Sequence, residues 1–296
     1  MVIYGMKVEC DMPFPLQLPQ EGDFRAAVTL QAHPPASLQS DLTCGTCLHT
    51  THGRRVFFYS DRPLHERFSP LQPLCYEAEG AVRFYWRYGE RHIYYELLEE
   101  GTAELLAFWF IHPFFPLYLS LEKYFVLLHA GAIATQKGVA VFLAPYKAGK
   151  STLIDYFLQR GHSLITDDVL PTFEQDGRLL CAPSHPYHRP FRSPETLGYL
   201  TTQFAPAFQP ICAFYLLEEA SDDISVSIEP VRGVEKFILL RNKSVVYTAE
   251  EIRTTHDLHL GKMMNAAPFF RIERPWGMGH LPQTYEAIIT HIEENL

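Results

Sequence analysis

The chain has 296 residues, of which 47% are apolar and 20% are charged, a composition typical of a soluble globular protein with one large or two ordinary domains. The 34 acidic residues outnumber the 25 basic ones, and the net charge of −9 argues against nucleic acid as a general partner, because a phosphate backbone requires a basic surface. The first residues carry charges where a signal peptide would be apolar, so we expect a cytoplasmic protein.

The first hundred residues are predicted to form a β-rich region. Runs of apolar and aromatic residues alternate there with turn signals, and Tyr88-Gly89-Glu90-Arg91 favours a hairpin between the last two runs. The predicted strands cover residues 3–10, 26–30, 55–60, 82–88 and 92–98.

Six cysteines lack the density of a disulfide scaffold. Four potential zinc ligands lie within nine residues, namely Cys44, Cys47, His49 and His52. Four ligands so close together would be cramped, so we expect an ordinary surface loop here, with a zinc site as the alternative.

The pattern becomes helical over residues 102–124, with expected breaks at His112-Pro113 and at Pro116. These breaks leave the most apolar window, 105–121, short of the roughly 20 residues that a membrane-spanning helix needs. We place a domain boundary in this segment, giving a β-rich domain over 1–110 and a second domain over 111–296.

Residues 144–152 indicate a phosphate-binding loop, because an apolar run precedes Ala-Pro-Tyr-Lys-Ala-Gly-Lys-Ser-Thr and a helix-compatible run follows it. Ala144 stands where G-x-x-x-x-G-K-[ST] has its first glycine. Lys150 would neutralise phosphate and the Ser151 hydroxyl would hold Mg²⁺. The predicted nucleotide-binding residues are Pro145, Tyr146, Lys147, Ala148, Gly149, Lys150, Ser151 and Thr152. The alternative is an ordinary strand–turn–helix junction.

Two adjacent carboxylates follow the next predicted strand. The helix should end at Gly161, and the apolar run 163–166 should bring Asp167 and Asp168 to the sheet edge that carries the phosphate loop. Asp167 would hold Mg²⁺ and Asp168 would accept a proton from an incoming hydroxyl. The alternative is a solvated turn.

His129 is the third candidate. The apolar runs on either side of Gln136-Lys137-Gly138 predict a β-hairpin, and regular pairing around Lys137 places His129 opposite Pro145 at the mouth of the loop, or one residue away if the hairpin contains a bulge. A catalytic role would follow from this position. The alternative is a core histidine whose hydrogen bonds are satisfied.

These residues resemble the bacterial HPr serine kinase/phosphorylase family, which shares its core with phosphoenolpyruvate carboxykinases. The resemblance is carried by Leu128-His129-Ala130-Gly131-Ala132, Gly149-Lys150-Ser151-Thr152, and Arg160-Gly161-His162-Ser163-Leu164 followed by Asp167-Asp168. It is strong over 125–173, continues weakly through 233–235 and 240–242, and does not cover the first hundred residues. The layout is most similar to the small HPr-kinase-like proteins of lasso-peptide tailoring.

The resemblance implies an α/β phosphate-loop core with a mixed sheet, preceded by the smaller β-rich domain. It implies transfer of the γ-phosphoryl group of ATP, with Mg²⁺, to a serine of a peptide or protein, such as the tail of a lasso-peptide precursor. Lys150 and Ser151 would bind phosphate and Mg²⁺, while His129, Asp167 and Asp168 would surround the reacting hydroxyl. The first domain would then dock the peptide, and a homo-oligomer is consistent with the family.

Arg241 matches an arginine of the family and would stabilise the charge of the transferring phosphoryl group, the alternative being a surface ion pair. The proline-rich loop 181–196 holds His185, His188, Arg189 and Arg192, for which we expect solvation, with an acceptor pocket as the alternative. Two other functions stay open, a kinase for a small hydroxylated metabolite and a non-catalytic nucleotide-binding switch. A switch has little need of a base beside the acceptor.

Overall fold

A computed structural model describes residues 1–11, 14, 16–63, 68–145, 148–190, 193–221, 225–245 and 250–296, with the side chains of 250–255 excepted. Contacts between Cα atoms divide the chain into two compact units. The first comprises Met1–Tyr124, Arg192–Leu197 and Val246–Thr255, and the second Phe125–Phe191, Gly198–Val245 and His256–Leu296. The main division therefore falls at 124/125, after the helical segment and not within it at 110/111.

Within the described residues, the first unit contains an eight-stranded sheet in the order β1-β2-β3-β8-β7-β6-β5-β4. The strands are β1 (Val2–Ile3), β2 (Met6–Cys10), β3 (Ala26–Ala32), β4 (Cys44–Thr51), β5 (Arg54–Ser60), β6 (Pro73–Ala78), β7 (Val82–Arg87) and β8 (His92–Leu97). A short helix, α1 (Ala36–Ser40), follows β3.

Two sequence predictions for this sheet were wrong. The run 3–10 is not one strand, because Tyr4 and Gly5 both have positive φ and form a tight turn between β1 and β2. The segment from Cys44 is not a loop but strand β4, which pairs with β5 around a turn at His52 and Gly53. Within the described part of the chain, no group of three or more potential metal ligands lies together.

Neither predicted break, at His112-Pro113 or at Pro116, interrupts the helical segment. Helix α2 (Ala103–Trp109) continues through a π-helical turn (Phe110–Phe114) into α3 (Phe115–Leu121). The wider turn accommodates Pro113, whose missing N–H would otherwise interrupt the helix. In the described part of the chain, Ala103–Leu121 is the one helix with the length and composition to cross a membrane, and 83% of its most apolar window is buried, as in a core helix of a soluble protein.

The second unit contains a mixed sheet with the main order β12-β10-β11-β17-β14-β13-β9, in which β19 pairs with β17 and β18. Its strands are β9 (Val126–His129), β10 (Gly131–Thr135), β11 (Gly138–Leu143), β12 (Ser163–Thr166), β13 (Val169–Gln175), β14 (Arg178–Cys181), β17 (Gln209–Ala220), β18 (Ser227–Pro230) and β19 (Phe269–Pro275), with β15 (Tyr187–His188) and β16 (Tyr199–Leu200) as a separate pair. The remaining helices are α4 (Lys150–Gln159), α5 (Val234–Lys243), α6 (Glu250–Ala266) and α7 (Leu281–Asn295).

The central strand β11 is buried on both faces. Val139, Val141 and Leu143 face one core with side chains of α5 and α6, whereas Ala140 and Phe142 face another with side chains of α4 and α7. Alternate side chains of a strand point to opposite faces of a sheet, which accounts for this division. The second unit is therefore a three-layer α/β/α arrangement.

The predicted hairpin exists, but its register and extent differ from the expectation. Strand β10 pairs with β11 from Gly131↔Phe142 to Thr135↔Gly138, one residue away from the predicted register. His129 lies in a separate strand, β9, where it pairs with Val169 of β13. It therefore does not face Pro145 across the hairpin, and its surroundings come from the strand that follows the acidic pair.

Candidate active site

The predicted phosphate loop connects β11 to α4. Gly149 precedes the helix with φ +68°, a left-handed conformation that glycine adopts without strain. Among the described residues, no side chain caps this end of α4, and the N–H groups of a helix's first turn are the groups that face a bound anion in a phosphate site. Lys150, Ser151 and Thr152 form the first turn, with Pro145 and Ala148 in the loop before it. Tyr146 and Lys147 lie outside the described residues.

Ala144 fits its position although the motif has glycine there. It is fully buried beside Phe142 in the core and does not have positive φ. Its carbonyl oxygen accepts a 2.6 Å hydrogen bond from the Lys243 ammonium group of α5. The loop begins without a conformation that requires glycine.

The Lys150 side chain is directed to the acidic pair. It is buried, and its ammonium group donates a 2.7 Å hydrogen bond to the carbonyl oxygen of Asp167. Helix α4 approaches β10 closely here because Gly131 has no side chain. A Cβ atom at Gly131 would lie 2.9 Å from Ile154 Cγ1 and 3.2 Å from Lys150 Cγ.

Asp167 and Asp168 form the tight turn between β12 and β13, and they have different surroundings. The Asp167 side chain is buried, and its Oδ2 accepts a 2.8 Å hydrogen bond from the backbone N–H of Arg189. Its Oδ1 is buried without a hydrogen-bond partner among the described residues. Asp168 is partly exposed, so it is the carboxylate that an external hydroxyl can reach.

Asp168 lies between a histidine and an arginine. Its Oδ1 is 3.1 Å from His129 Nδ1, and its Oδ2 is 3.0 Å from Arg189 Nη2. The side chain of His129 is 34% exposed, whereas that of Arg189 is 5% exposed. Asp168 therefore contacts an imidazole through one carboxylate oxygen and a guanidinium through the other.

The loop that carries Arg189 is buried, contrary to the expected solvation. His185, His188 and Arg189 are each less than 9% exposed, and burial, with a smaller effect of Arg189, lowers the pKa of His185 to about 3. His188 Nε2 lies 2.9 Å from Asp155 on α4, which fixes this loop to the phosphate-loop helix. Arg192 lies outside the described residues.

Another buried cation contacts the loop. Arg274, at the end of β19, donates a 3.0 Å hydrogen bond to the carbonyl oxygen of Ala148 and is only 3% exposed. Lys243 and Arg274 thus hold the two ends of the loop. Sequence reasoning missed both, because they follow the loop by about a hundred residues or more and no motif marks them.

Arg241 is not brought into contact with the acidic pair. Its guanidinium forms a 2.8 Å ion pair with Asp257, and the Arg241 side chain is 44% exposed. The arginine that contacts Asp168 is Arg189, at the centre of a loop whose proline content suggested a surface position.

Two unpartnered buried atoms show that the site fits a metal ion and a phosphate. Asp167 Oδ1 is a carboxylate oxygen of the kind that Mg²⁺ prefers, and Ser151 supplies a hydroxyl in the adjacent first turn of α4. Arg189 Nη1 is a buried donor without a partner in the described part of the chain, and a phosphoryl oxygen would satisfy it.

A scan against protein-family models found no match, and a search of curated proteins found none either. Solved structures that resemble the chain include the HPr(Ser) kinase/phosphatase from Coxiella burnetii. The two sequences are 15% identical, the alignment covers 56% of this chain and 90% of that chain, and the TM-score is 0.34. At this level the similarity carries no inference about activity.

Proposed function

We propose that the protein is an ATP-dependent kinase that phosphorylates a serine hydroxyl of a peptide or protein. The observation that carries the proposal is the position of Asp168, between His129 and Arg189 and next to the residue whose carbonyl binds Lys150. A phosphate-binding loop, a reachable carboxylate and a buried guanidinium can bind the donor phosphates, accept the proton of the alcohol and stabilise the charge on the transferring phosphoryl group.

In this reaction the serine oxygen forms a bond to the γ-phosphorus while the bond from that phosphorus to the β,γ-bridging oxygen breaks, and ADP leaves. Asp168 accepts the serine proton, and His129 orients the carboxylate and shares that proton. Lys150 and the N–H groups at the start of α4 hold the phosphates. Arg189 donates to the transferring phosphoryl group, where negative charge develops.

Asp167 and Ser151 are the residues that would hold Mg²⁺. When bound, the ion neutralises charge on the phosphates of the nucleotide. Asp167 is held for this role by the backbone N–H of Arg189, which leaves its other carboxylate oxygen available. A cytoplasmic location, where ATP and Mg²⁺ are abundant, goes with this proposal.

The acceptor class is proposed from the resemblance noted in the sequence. A peptide serine, in particular one near the tail of a lasso-peptide precursor, is our first candidate, with the β-rich first unit as the part that docks the peptide. Free serine and a serine-containing carrier protein are the comparison acceptors. A small hydroxylated metabolite as substrate is the alternative within kinases.

The test is transfer of label from γ-labelled ATP with Mg²⁺ to these acceptors. Asp168→Asn should lower the rate of transfer by about 10²–10⁴-fold, the usual contribution of a general base, while nucleotide binding is retained. Asp176→Asn, in the exposed turn between β13 and β14, is the matched control and should transfer normally. Transfer that survives Asp168→Asn would contradict the assignment of the base.

A non-catalytic nucleotide switch is the competing class. It predicts that the native protein binds ATP but transfers no phosphoryl group to any acceptor, whereas the kinase transfers label and loses that transfer in Asp168→Asn. The Asp168–His129–Arg189 cluster favours the kinase, since a switch does not need a carboxylate that an acceptor can reach.

A further inference from the structure

A cavity of about 90 Å³ lies beside the first turn of α4, and neither residue of the acidic pair is among its described lining residues. Its lining residues come from the phosphate loop and the start of α4, and from the end of β19 and the segment that follows it. They include Gly149, Thr152, Arg274, Trp276, Met278 and Leu281. The mechanism above makes no use of Trp276 or Met278, which are 38% and 69% exposed. Large apolar side chains exposed beside a polar binding loop require an explanation.

Two side chains of the first turn of α4 give a bound polyphosphate a direction. Lys150 and Thr152 are two residues apart on α4, which corresponds to a rotation of about 200° around the helix axis. Their side chains therefore lie on nearly opposite sides of the helix. The Lys150 ammonium group reaches Asp167, whereas Thr152 lines the cavity. A triphosphate whose γ end lies at the acidic pair would therefore extend its nucleoside towards Trp276.

The position of Trp276 is coupled to the loop. The Arg274 guanidinium lies 5.4 Å from the centroid of the indole ring, a cation–π arrangement, and the same guanidinium is bonded to the carbonyl of Ala148. The edge of the ring lies 3.6 Å from the position that a Cβ of Gly149 would occupy. The indole is thus held against the phosphate loop while part of its surface stays open.

The chemistry of the cavity favours stacking over reading of base edges. Among the described lining residues, the polar side chains are Thr152 and Arg274, and Arg274 is committed to Ala148. Carboxylates and carboxamides, which read the edge of a base, are absent from this lining. Stacking on an aromatic ring tolerates different bases, because each base has a π-face.

We propose that Trp276, supported by Arg274, is the stacking platform for the base of a purine nucleoside triphosphate, and that ATP and GTP bind there with closely similar affinity. The inference rests on the proposed function, because it requires the triphosphate to lie on the α4 loop. It adds the group that retains the nucleoside and the degree of base selectivity.

Tryptophan fluorescence of the full chain reports on this platform. Of the three tryptophans, Trp86 and Trp109 are fully buried in the first unit, so a ligand that stacks on Trp276 should quench the exposed contribution. With Mg²⁺ present, ATP and GTP should quench at similar concentrations. Inorganic tripolyphosphate, which has no ring, should bind without comparable quenching.

Calorimetric titration of variants then separates binding of the phosphates at the loop from binding of the base at Trp276. ATP should bind the native protein roughly tenfold or more tightly than tripolyphosphate, and Trp276→Leu should remove that advantage without changing tripolyphosphate affinity. Trp276→Phe should keep most of it. Leu258→Ala, at another exposed apolar side chain, is the control and should bind both ligands normally.

ATP affinity that is unchanged in Trp276→Leu, or quenching that tripolyphosphate produces equally well, would overturn the assignment of Trp276 while leaving the phosphate site intact. A tenfold or larger preference between ATP and GTP would overturn the proposed lack of base selectivity. Failure of the native protein to bind either tripolyphosphate or ATP would overturn the proposed function and this inference with it.

Discussion

Arg189 and Arg241 offer a direct comparison at the level of single residues, because one contacts Asp168 and the other an exposed carboxylate. Arg189→Gln should lower kcat by about 10²-fold, the usual cost of losing one donor to a transition state, with a smaller change in the KM for ATP. The substitution leaves the backbone N–H that holds Asp167 in place. Steady-state kinetics and a thermal unfolding curve are the measurements.

Arg241→Gln is the matched control. An exposed ion pair contributes about 0–1 kcal/mol, so this variant should keep kcat within about twofold and unfold at nearly the native temperature. A large loss of kcat in Arg241→Gln, together with a normal kcat in Arg189→Gln, would contradict the role proposed for Arg189. It would support Arg241, which the family resemblance suggested, as the arginine that stabilises the phosphoryl group.

The residues of the site were predictable from sequence only where a short motif contains them. Lys150 and Ser151 follow from one segment, and Asp167 and Asp168 from the next strand. Arg189 was considered but assigned to the surface, because its proline-rich loop reads as solvated and its burial depends on contacts with Asp167 and Asp168 across the sheet edge. Lys243 and Arg274 reach the loop only through the fold of the whole second unit.

At the scale of elements, the packing of α4 on β10 depends on Gly131. Gly131→Ala places a methyl group against Ile154 and Lys150 at distances that require a shift, and overpacking of this kind costs about 1–3 kcal/mol. The variant should be less stable and should also bind ATP more weakly, because the displaced helix carries Lys150. Denaturant unfolding and calorimetric titration check the two effects.

Gly261→Ala is the control, and its expected effect on stability is opposite to that of Gly131→Ala. Gly261 lies within α6, with nothing within 4 Å of its Cβ position and no positive φ. Alanine there should stabilise the helix by about 0.5–1 kcal/mol and leave ATP affinity unchanged. Equal effects of the two substitutions would mean that Gly131 has no special packing role.

Glu122 gives the first unit a pH-dependent contact between elements. At the end of α3, it accepts hydrogen bonds of 3.0 Å from Trp86 Nε1 and 2.9 Å from the N–H of Gly89. Burial raises the pKa of this carboxyl to about 7, although both hydrogen bonds act in the opposite direction. Between the unfolded value of 4.5 and about 7, the folded state holds more protons, so its stability falls as the pH rises.

The Glu122→Gln variant tests this dependence. Native protein should be more stable than the variant at pH 5, and the difference in unfolding temperature should shrink or reverse by pH 8. Glu79→Gln is the control, because the pKa of Glu79, beside Arg55, lies below its ordinary value and the carboxylate stays ionised throughout this range. A constant difference for Glu122→Gln between pH 5 and pH 8 would contradict the raised pKa.

Local sequence patterns predicted the type of each element better than they predicted which strands pair with one another. The apolar runs gave β10, β11, β12 and α4 near their observed positions, since periodicity and the glycines at either end act locally. They did not reveal that the chain leaves the hairpin at Ala130 and that His129 joins β13, because strand partners are chosen by long-range packing. The π-helical turn at Pro113 was likewise not readable from a proline that usually ends a helix.

At the scale of the whole molecule, the charge distribution matters more than the net charge. A chain with a net charge of −9 places Lys150, Lys243 and Arg274 around one loop, with Arg189 beside the acidic pair that the loop faces. A cleft with cations in an otherwise acidic protein raises the local concentration of a polyphosphate and repels anions elsewhere. The proposed triphosphate site requires this distribution of charge in an acidic protein.

Binding at this loop should stabilise the folded chain by mass action. With ATP and Mg²⁺ at about 100 times the dissociation constant, the added free energy of unfolding is about 2.7 kcal/mol, which corresponds to a rise of roughly 5–10 °C in the unfolding temperature. Lys150→Ala should lose the rise, whereas Lys137→Ala, in the exposed hairpin turn, should keep it. Hydrogen exchange should slow in α4 and at Asp167 and Asp168, while the sheet of the first unit exchanges as before. A full thermal shift in Lys150→Ala, or protection confined to the first unit, would place the nucleotide elsewhere, because a ligand on this loop must stabilise the elements that carry the loop.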